Sequence, residues 1–251
     1  MGEIIAVANQ KGGVGKTTTA VNLAAALHDA GARVLVCDFD PQANATSGFG
    51  VSRSGNATTY EMVIDGIPAE QTIRHTDFGD LLPSSSNLAG AAVELIGMDN
   101  REYQLKAALA PVKSLYDYIF IDCPPSLELL TLNALCAADS ILVPVQCEYY
   151  ALEGLSDLMK TMRAVKRRLN PSLSMFGVLL TMFDGRTNFS NQVAQEIRKY
   201  FPGKVYANVI PRNVRLAEAP SHGVPVLAYD KYSRGAKAYA AVAQEILNAG
   251  R

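Results

Sequence analysis

The sequence lacks the features that mark membrane, secreted and metal-cluster proteins. Its longest near-uniform apolar runs, Ile4–Ala8 and Phe176–Phe183, are far shorter than the roughly 18 residues that a membrane-spanning helix needs. No basic segment precedes the first apolar run, which argues against a secretory signal peptide. The four cysteines form no CxxC pair, so we expect buried thiols rather than disulfide bonds or a zinc site. These absences predict a cytosolic protein with no membrane partner.

The chain also lacks any internal boundary. No repeat, low-complexity tract or Pro/Ser-rich linker interrupts the 251 residues, of which 49% are hydrophobic and 19% charged. Chains of about 250 residues are common as single α/β units. We therefore predict one domain over residues 1–251.

Basic residues are scarce in the first part of the chain and acidic residues in the second, although the net charge of the whole chain is only −1. Residues 1–159 sum to −11 and residues 160–251 to +10. Such separation favours a polyanionic partner for the basic part. The alternative, charges scattered over a solvated surface, stays open on this count alone.

Short apolar runs alternate with helical patterns along the chain. Strands are predicted at Ile4–Ala8, Arg33–Asp38, Asp80–Pro83, Tyr118–Asp122, Ser140–Val145, Ser174–Thr181 and Lys204–Ile210. Helices are predicted at Thr17–Ala30, Leu127–Ala138, Leu152–Leu169, Asn188–Tyr200 and Ala236–Asn248. Strands that are apolar throughout suit a parallel sheet covered on both faces. The alternation predicts an α/β fold with a doubly wound, mostly parallel sheet flanked by helices.

A glycine-rich segment between the first strand and the first helix predicts a phosphate-binding loop. Glycines let backbone N–H groups turn inward around phosphate oxygens, and the helix N-terminus adds its positive dipole end. The candidate residues are Lys11, Gly12, Gly13, Val14, Gly15, Lys16, Thr17 and Thr18. In this pattern the second lysine reaches the β- and γ-phosphates, the first threonine binds Mg²⁺ and the next is placed to contact the α-phosphate. Gln10 stands where the general P-loop pattern has its first glycine, and Lys11 is an additional lysine.

Two other predicted strands end in carboxylates. The run Ile119–Asp122 has the form of a Walker B segment, in which Asp122 holds Mg²⁺ through a water molecule. The run Val34–Asp38 is followed by Asp40, and alternation along the chain lets Asp38 and Asp40 face the same side. Because open α/β sheets bind ligands at the carboxyl ends of their strands, we expect these acids beside the loop.

Together these segments resemble the deviant Walker A ATPases, the ParA/MinD group, and most closely its ParA/Soj branch. The resemblance covers nearly the whole chain. It rests on Lys11–Thr18, Asp38–Asn44, Asp122–Ser126, Pro144–Tyr150, Ile210–Arg215 and Glu218–Ser221.

The resemblance implies a P-loop ATPase that uses ATP and Mg²⁺. It implies that Lys11 reaches the phosphates bound by a second subunit, so that ATP joins two copies into a sandwich dimer. It also implies that Asp40 positions the attacking water, that Asp122–Ser126 senses the γ-phosphate, and that Pro211 and Asn213 meet the adenine. Lys11, Lys16 and Asp40 are thus the expected catalytic residues.

The resemblance further implies partitioning of chromosome or plasmid DNA. Non-specific binding of the ATP dimer to double-stranded DNA, through Arg186 and Arg215, would place the protein on the nucleoid, and a ParB-type partner would stimulate hydrolysis. Lys231, Arg234 and Lys237 could extend the basic patch. The cluster Lys166–Arg168 ends a predicted helix, where cations also offset the dipole, so capping is its alternative role.

Three other functions stay open. A MinD-type membrane-cycling ATPase shares the nucleotide site, but it requires a basic amphipathic C-terminal helix, which the predicted last helix does not resemble. A metabolic enzyme, such as a nitrogenase iron-protein relative or a ligase, would use the same loop, although the cysteine positions do not suit a bridging cluster. A passive DNA-coating protein would have a vestigial ATPase.

Overall fold

A computed structural model describes residues 2–52, 56–148 and 151–249 of the chain. Its strands are β1 (Glu3–Val7), β2 (Val34–Asp38), β3 (Arg74–Thr76), β4 (Gly79–Leu82), β5 (Tyr118–Asp122), β6 (Ser140–Gln146) and β7 (Ser174–Thr181). They form one sheet in the order β3-β4-β2-β5-β1-β6-β7. Every neighbouring pair is parallel except β3 with β4. The predicted doubly wound, mostly parallel sheet is confirmed.

Helices connect these strands. They are α1 (Lys16–Asp29), α2 (Asn44–Gly48), α3 (Thr59–Ile64), α4 (Ala69–Thr72), α5 (Leu88–Glu94), α6 (Gln104–Leu109), α7 (Leu129–Ala137), α8 (Ala151–Arg168), α9 (Asn188–Tyr200), α10 (Val214–Glu218), α11 (Val226–Tyr229) and α12 (Arg234–Ala249). The five predicted helices correspond to α1, α7, α8, α9 and α12 within two residues at each end.

The apolar strands bury side chains on both faces of the sheet. On β1, Ile4 belongs to a core shared with α5, α7 and α8, whereas Ile5 belongs to a core shared with α1 and α12. Successive side chains of a strand point to opposite faces, so a strand covered on both sides must be apolar at every position. This explains why the strands read as continuous hydrophobic runs.

The sheet register places two acidic strand ends side by side. Asp38 on β2 pairs in register with Asp122 on β5, and Asp122 pairs with Val7 on β1. The loop from β1 to α1 starts directly after Val7, at the same edge of the sheet. The fold therefore brings the glycine-rich loop and the acidic strand ends together.

The prediction of a strand at Lys204–Ile210 is wrong. The segment runs beside β7, where Tyr206 donates its amide to Val178 and Ile210 donates to Leu180, but it makes only isolated bridges. Between these contacts, the amides of Ala207 and Asn208 donate to the Glu245 carboxylate on α12. The Glu245 side chain thus takes the Asn208 amide, which a regular ladder with β7 would use.

The edge strand β3 was not predicted. It has only three residues, Arg74–Thr76, and its polar side chains give no apolar signal. The turn back into β4 depends on Gly79, whose φ of 111° is favourable only for glycine. The Thr76 hydroxyl fixes the turn by donating to the Gly79 carbonyl at 2.6 Å.

Candidate nucleotide site

The loop between β1 and α1 has the backbone conformation of an anion-binding turn. Gly13 and Gly15 have φ values of 74° and 87°, in the left-handed region that side chains disfavour. Gly15 is also the N-cap of α1, and no side chain of the described residues caps this helix end. The amides of the first turn are therefore available to a ligand, and the helix dipole favours an anion there.

Two side chains outside the loop fix its position. Thr181, at the end of β7, donates its hydroxyl to the Val14 carbonyl at 2.8 Å. Asn9 donates its side-chain amide to the Pro144 carbonyl at 2.7 Å and accepts the Lys11 amide at 3.0 Å. The loop is thus joined to β6 and β7 by hydrogen bonds as well as by the chain.

Lys16 lies inside the site with only 7% of its surface exposed. Its ammonium donates to the Lys11 carbonyl at 3.1 Å, so the amine points back across the loop. Burial lowers the pKa of Lys16, whereas the nearby Asp122 and Asp40 oppose that shift. The structure places a desolvated cation among carboxylates, where the charge of a phosphate would complete its surroundings.

Asp122 is the least satisfied side chain of the site. It is fully buried, and neither carboxylate oxygen has a partner in hydrogen-bond geometry among the described residues. Burial, reinforced by the adjacent Asp38, raises the pKa of Asp122 well above its usual range, although the nearby Thr17 hydroxyl acts in the opposite direction. Because buried carboxylates are normally paired, this unpartnered acceptor fits a hydrated cation.

Unlike Asp122, Asp38 has hydrogen-bond partners for both carboxylate oxygens. One carboxylate oxygen accepts the amide and the hydroxyl of Thr46, each at 2.7 Å, and the other accepts the Asp40 amide at 3.3 Å. Burial raises the pKa of Asp38 to about 6 despite these hydrogen bonds. Asp38 therefore anchors helix α2, which follows β2, to the end of the sheet.

Asp40 lies in the turn between β2 and α2. It is 7% exposed, and its carboxylate accepts the Gln42 amide at 3.0 Å. Its carbonyl accepts the Ala43 amide at 2.9 Å and the Ser84 hydroxyl at 2.8 Å. One oxygen of the buried Asp40 carboxylate thus fixes the turn.

The protein atoms alone do not complete a metal centre. Over the described ranges, no three His, Cys, Asp or Glu side chains converge in a way that could hold a metal ion. Thr17 and Asp122 nevertheless place oxygen atoms beside the loop, and Mg²⁺ commonly takes a few protein oxygens together with water and substrate phosphates. These residues fit a magnesium ion that arrives with a phosphate ligand.

An apolar cavity of about 330 Å³ opens directly beside the loop. Its lining includes Gly15 and Thr18 from the loop and α1, together with Pro211, Asn213 and Leu216. Asn213 caps helix α10, where its side-chain oxygen accepts the Arg215 amide at 2.9 Å. The cavity is of a size and character that suit a planar aromatic group, and it contains both residues that the sequence assigned to adenine.

The additional lysine is turned toward the protein's own chain. The Lys11 ammonium donates to the Glu148 carboxylate at 2.8 Å, just beyond the end of β6. The segment Pro144–Tyr150 is one of those on which the family resemblance rests, but no sequence pattern distinguished Glu148 within it. Tyr149 and Tyr150 of that segment lie outside the described residues.

The structure places the two predicted DNA-contacting arginines on different segments. Arg186 follows β7, and its side chain is 90% exposed although it pairs with Asp184 at 2.8 Å. Arg215, on α10, pairs with Glu218 at 2.8 Å and with Asp230 at 3.4 Å. The pairing of Arg215 with Asp230 could not be read from sequence spacing, because Asp230 lies 15 residues further along the chain.

Comparison with known proteins finds a matching family model and several similar sequences. A family model described as an AAA domain matches residues 2–175. The chain is 55% identical to the sporulation initiation inhibitor protein Soj of Bacillus subtilis, over 98% of both chains. It is 52% identical to the chromosome partitioning protein ParA of Myxococcus xanthus, over 98% of this chain and 88% of that one.

Among solved structures, cobyrinic acid a,c-diamide synthase from Mycobacterium smegmatis, with bound ADP and magnesium, superposes with a TM-score of 0.86. It is 38% identical to this chain and covers all of it, with 97% of the other chain matched. A second structure of that synthase, 37% identical to this chain, contains an ATP analogue and magnesium. The predicted cofactors, ATP and Mg²⁺, agree with the ligands of these two structures. Within the described residues, no helix is both long and apolar enough to cross a membrane.

Proposed function

Because the chain belongs to the ParA/Soj family of P-loop ATPases, we propose that it uses cycles of ATP binding and hydrolysis to partition DNA. ATP binding joins two copies into a dimer that holds DNA without regard to sequence. Hydrolysis to ADP and phosphate, stimulated by a ParB-type partner, releases the DNA. The observation that carries this proposal is the buried Asp122 carboxylate, unpartnered within the described chain, beside an uncapped helix N-terminus and a buried lysine.

The triphosphate lies in the loop formed by Lys11, Gly12, Gly13, Val14, Gly15, Lys16, Thr17 and Thr18, with the adenine in the cavity beside Pro211 and Asn213. Thr17 and, through water, Asp122 hold Mg²⁺, which neutralises charge on the phosphates. This assignment is supported by the Asp122 oxygens, which the described part of the fold leaves without partners. The assignment also gives a reason for the buried carboxylates, because the cation and the nucleotide would balance charges that the protein alone leaves unbalanced.

Hydrolysis is in-line attack of water on the γ-phosphate. Asp40 orients the water, and the hydrogen bond from the Gln42 amide to its buried carboxylate supports this role. Lys16 and Lys11 stabilise the charge that develops on the phosphate oxygens. No arginine stands in the phosphate loop or in the segments Asp38–Asn44 and Asp122–Ser126. We therefore expect a slow intrinsic rate of hydrolysis that the partner protein increases.

DNA binding rests on the basic C-terminal part of the chain. Arg186 and Arg215 exchange their carboxylate partners for DNA phosphates in the dimer. Lys231, Arg234 and Lys237 are exposed, and the structure shows no carboxylate paired with any of them among the residues it describes. Phosphate neutralisation by such cations supplies most of the non-specific affinity for DNA and would keep the protein on the nucleoid.

The test is the rate of ATP hydrolysis with DNA, with a ParB-type protein, and with both. We expect stimulation by both together to exceed the sum of the separate effects, since DNA presents the dimer to its partner. Rates that respond to anionic liposomes instead of DNA would favour a MinD-type cycle. Rates that respond to neither would contradict a partitioning ATPase.

A further inference from the structure

A second cavity, of about 370 Å³, lies at the end of the sheet opposite the nucleotide site. Glu3 and Tyr118 are the first residues of β1 and β5, pair in register, and line this cavity together with Glu245 of α12. The phosphate loop follows the other end of β1. The cavity is therefore separate from the site described above.

Aromatic rings form part of the cavity wall. Phe176 of β7 and Tyr206 have ring centroids 6.4 Å apart, with the ring planes inclined at 56°. Tyr118 contributes a third ring, and all three side chains are partly buried against the core shared with α1 and α12. The faces of such rings attract cations, and the rings also offer apolar surface to an alkyl chain.

The protein fixes the position of Tyr206 in this wall. A side chain at Gly177 of β7 would place its Cβ atom 2.5 Å from the Tyr206 ring, so glycine is what lets the ring lie against the strand. The Glu245 carboxylate accepts the amides of Ala207 and Asn208, directly after Tyr206. The ring is thus held between β7 and α12 in the free protein.

The Tyr206 hydroxyl is an available polar group in the cavity, because it has no hydrogen-bond partner among the described residues. Burial raises the pKa of Tyr206, and the Glu245 and Glu3 carboxylates add to that shift. The hydroxyl therefore stays neutral near physiological pH and lies within the electrostatic influence of both acids.

The negative charge of the cavity is not balanced by the described part of the chain. Neither Glu3 nor Glu245 forms an ion pair there. Lys204 also lines the cavity, but its ammonium donates to the Met175 carbonyl at 3.1 Å. One Glu3 oxygen accepts the Ser140 hydroxyl at 2.7 Å, and the other has no partner within the described ranges. Neutral donors leave the charge of both carboxylates in place, so the cavity favours a cation.

We propose that this cavity binds a small aliphatic diamine or polyamine. Its ammonium groups would lie at Glu3 and Glu245, and its alkyl chain would run along the three aromatic rings. Carboxylates on two separate elements suit a ligand with two charges, and aromatic walls suit an organic cation. A divalent metal ion would instead prefer a shell of oxygen ligands. The proposal is independent of the nucleotide cycle.

The direct test is calorimetric titration of putrescine, a four-carbon diamine, into the nucleotide-free protein at low salt. Nucleotide is omitted because amines also bind phosphates. Putrescine is expected to bind, with an affinity that falls as the ionic strength rises. The diol 1,4-butanediol has the same chain length without the charges and is expected not to bind.

Substitutions place the bound amine in the cavity. Glu3→Gln removes the charge but keeps an acceptor for the Ser140 hydroxyl, and Tyr206→Leu removes the ring but keeps apolar bulk. Each is expected to weaken putrescine binding by about three- to ten-fold. Glu70→Gln is the matched control, because it removes the same charge from an exposed residue of α4 that forms no ion pair in the described ranges. It should bind putrescine as the wild type does.

NMR spectra of protein with labelled tyrosine rings report the location independently. The Tyr206 ring signal, identified by its loss in Tyr206→Phe, should shift as putrescine is added and should not shift with 1,4-butanediol.

The absence of putrescine binding, or equal binding of the diol, would overturn the proposal. Wild-type affinity in both Glu3→Gln and Tyr206→Leu would also overturn it, since the amine would then lie at acids elsewhere in the molecule. If circular dichroism shows that Glu3→Gln folds poorly, the affinity of Tyr206→Leu and the Tyr206 ring shift decide. None of these measurements uses ATP, so their outcome does not depend on the proposed function.

Discussion

At the scale of single residues, the site is defined by charges that the protein does not balance by itself. Asp122 is buried without a hydrogen-bond partner in the described chain, and Asp38 beside it has a pKa raised to about 6 by burial. Lys16 is a desolvated cation among these acids. Such an arrangement is costly in the free protein, and ligand binding removes part of that cost.

The raised pKa of Asp38 predicts an unusual dependence of stability on pH. The unfolded carboxyl titrates near 3.8 and the folded one near 6, so between these values the folded state binds more protons. The free energy of unfolding of the nucleotide-free protein should therefore fall as pH rises from about 4 to about 6. The full contribution is about 3 kcal/mol at most.

Chemical denaturation of the wild type and Asp38→Asn across this range measures the effect. The difference in unfolding free energy between them should move in favour of the variant as pH rises, because the neutral amide does not titrate. A difference that is constant with pH would show that Asp38 does not carry the shifted pKa. Ligand-free buffer with a chelator is required, since a bound cation would hold the neighbouring acids ionised.

Asp40→Ala is expected to separate ATP binding from hydrolysis. The backbone bonds of Asp40 to Ala43 and Ser84 survive the substitution, so the turn keeps its main anchors. Loss of the water-orienting carboxylate should slow turnover by about 100-fold or more. The variant should therefore accumulate as an ATP-bound dimer on DNA, as measured by gel filtration and gel shift.

Asp65→Ala, which removes an exposed carboxylate after α3, serves as the control and should turn over ATP at the wild-type rate. A monomeric Asp40→Ala protein in the presence of ATP would count against the assigned role of Asp40.

At the scale of elements, the sheet determines where the phosphate loop lies. The carboxyl ends of β1, β2 and β5 adjoin, and β6 and β7 hold the loop through Pro144 and Thr181. Helix α1 contributes its first turn, which no described side chain caps. The binding loop is thus supported by neighbouring strands and a helix rather than by its own sequence alone.

Thr181→Val tests this support. The substitution keeps the side-chain shape but leaves the Val14 carbonyl without its donor, which typically costs about 1–3 kcal/mol. If the bond positions the loop, ATP affinity should fall by about ten-fold, as measured by isothermal titration calorimetry. Thr72→Val is the matched control, because its buried hydroxyl donates to the Pro68 carbonyl away from the site. Equal losses of ATP affinity in both variants would indicate general destabilisation instead.

The sequence predicted the elements that carry a strong apolar pattern and missed those that depend on tertiary contacts. Six strands and five helices were identified, since continuous apolar runs reflect burial on both faces of the sheet. The β3 edge was missed because three polar residues give no periodic signal. Lys204–Ile210 was taken for a strand because its apolar pattern does not reveal that Glu245 binds two of its amides.

The residues of the site likewise fall into those that local patterns identified and those that depend on tertiary contacts. The residues of the glycine-rich loop and the acids at the strand ends were identified from local patterns, and the structure brings them together. Glu148 and Thr181 act through contacts with residues more than 130 positions away in the chain. Their partners follow from strand order, which spacing along the sequence does not encode. The roles of all site residues, and the single domain over residues 1–251, stay predictions.

At the scale of the whole molecule, charge is divided between the acidic first part of the chain and the basic remainder. Arg186 and Arg215 are paired with carboxylates in the single chain, so the proposed binding of DNA requires that these weak surface pairs exchange. In the proposed dimer, two copies would present twice as many cations to one duplex.

Substitution of both arginines, Arg186 and Arg215, by alanine should abolish retention of DNA while ATP affinity stays unchanged. At low salt, where residual binding can be measured, the dependence of DNA binding on salt should become shallower by about 0.9 in logarithmic slope for each phosphate that the protein no longer neutralises. Lys166→Ala with Arg167→Ala removes the same charge from the last turn of α8, where cations also offset the helix dipole, and is the matched comparison. An ATP-dependent gel shift that is unchanged in the arginine variant would refute the assigned role of both arginines.

The most direct measurement of the central claim is sedimentation of the purified protein saturated with magnesium and a non-hydrolysable ATP analogue, with and without a DNA duplex of arbitrary sequence. The proposed cycle predicts a dimer with the analogue, a monomer without it, and sedimentation of the dimer together with the duplex. A protein that binds the analogue yet sediments as a monomer and leaves the duplex free would contradict the proposed cycle.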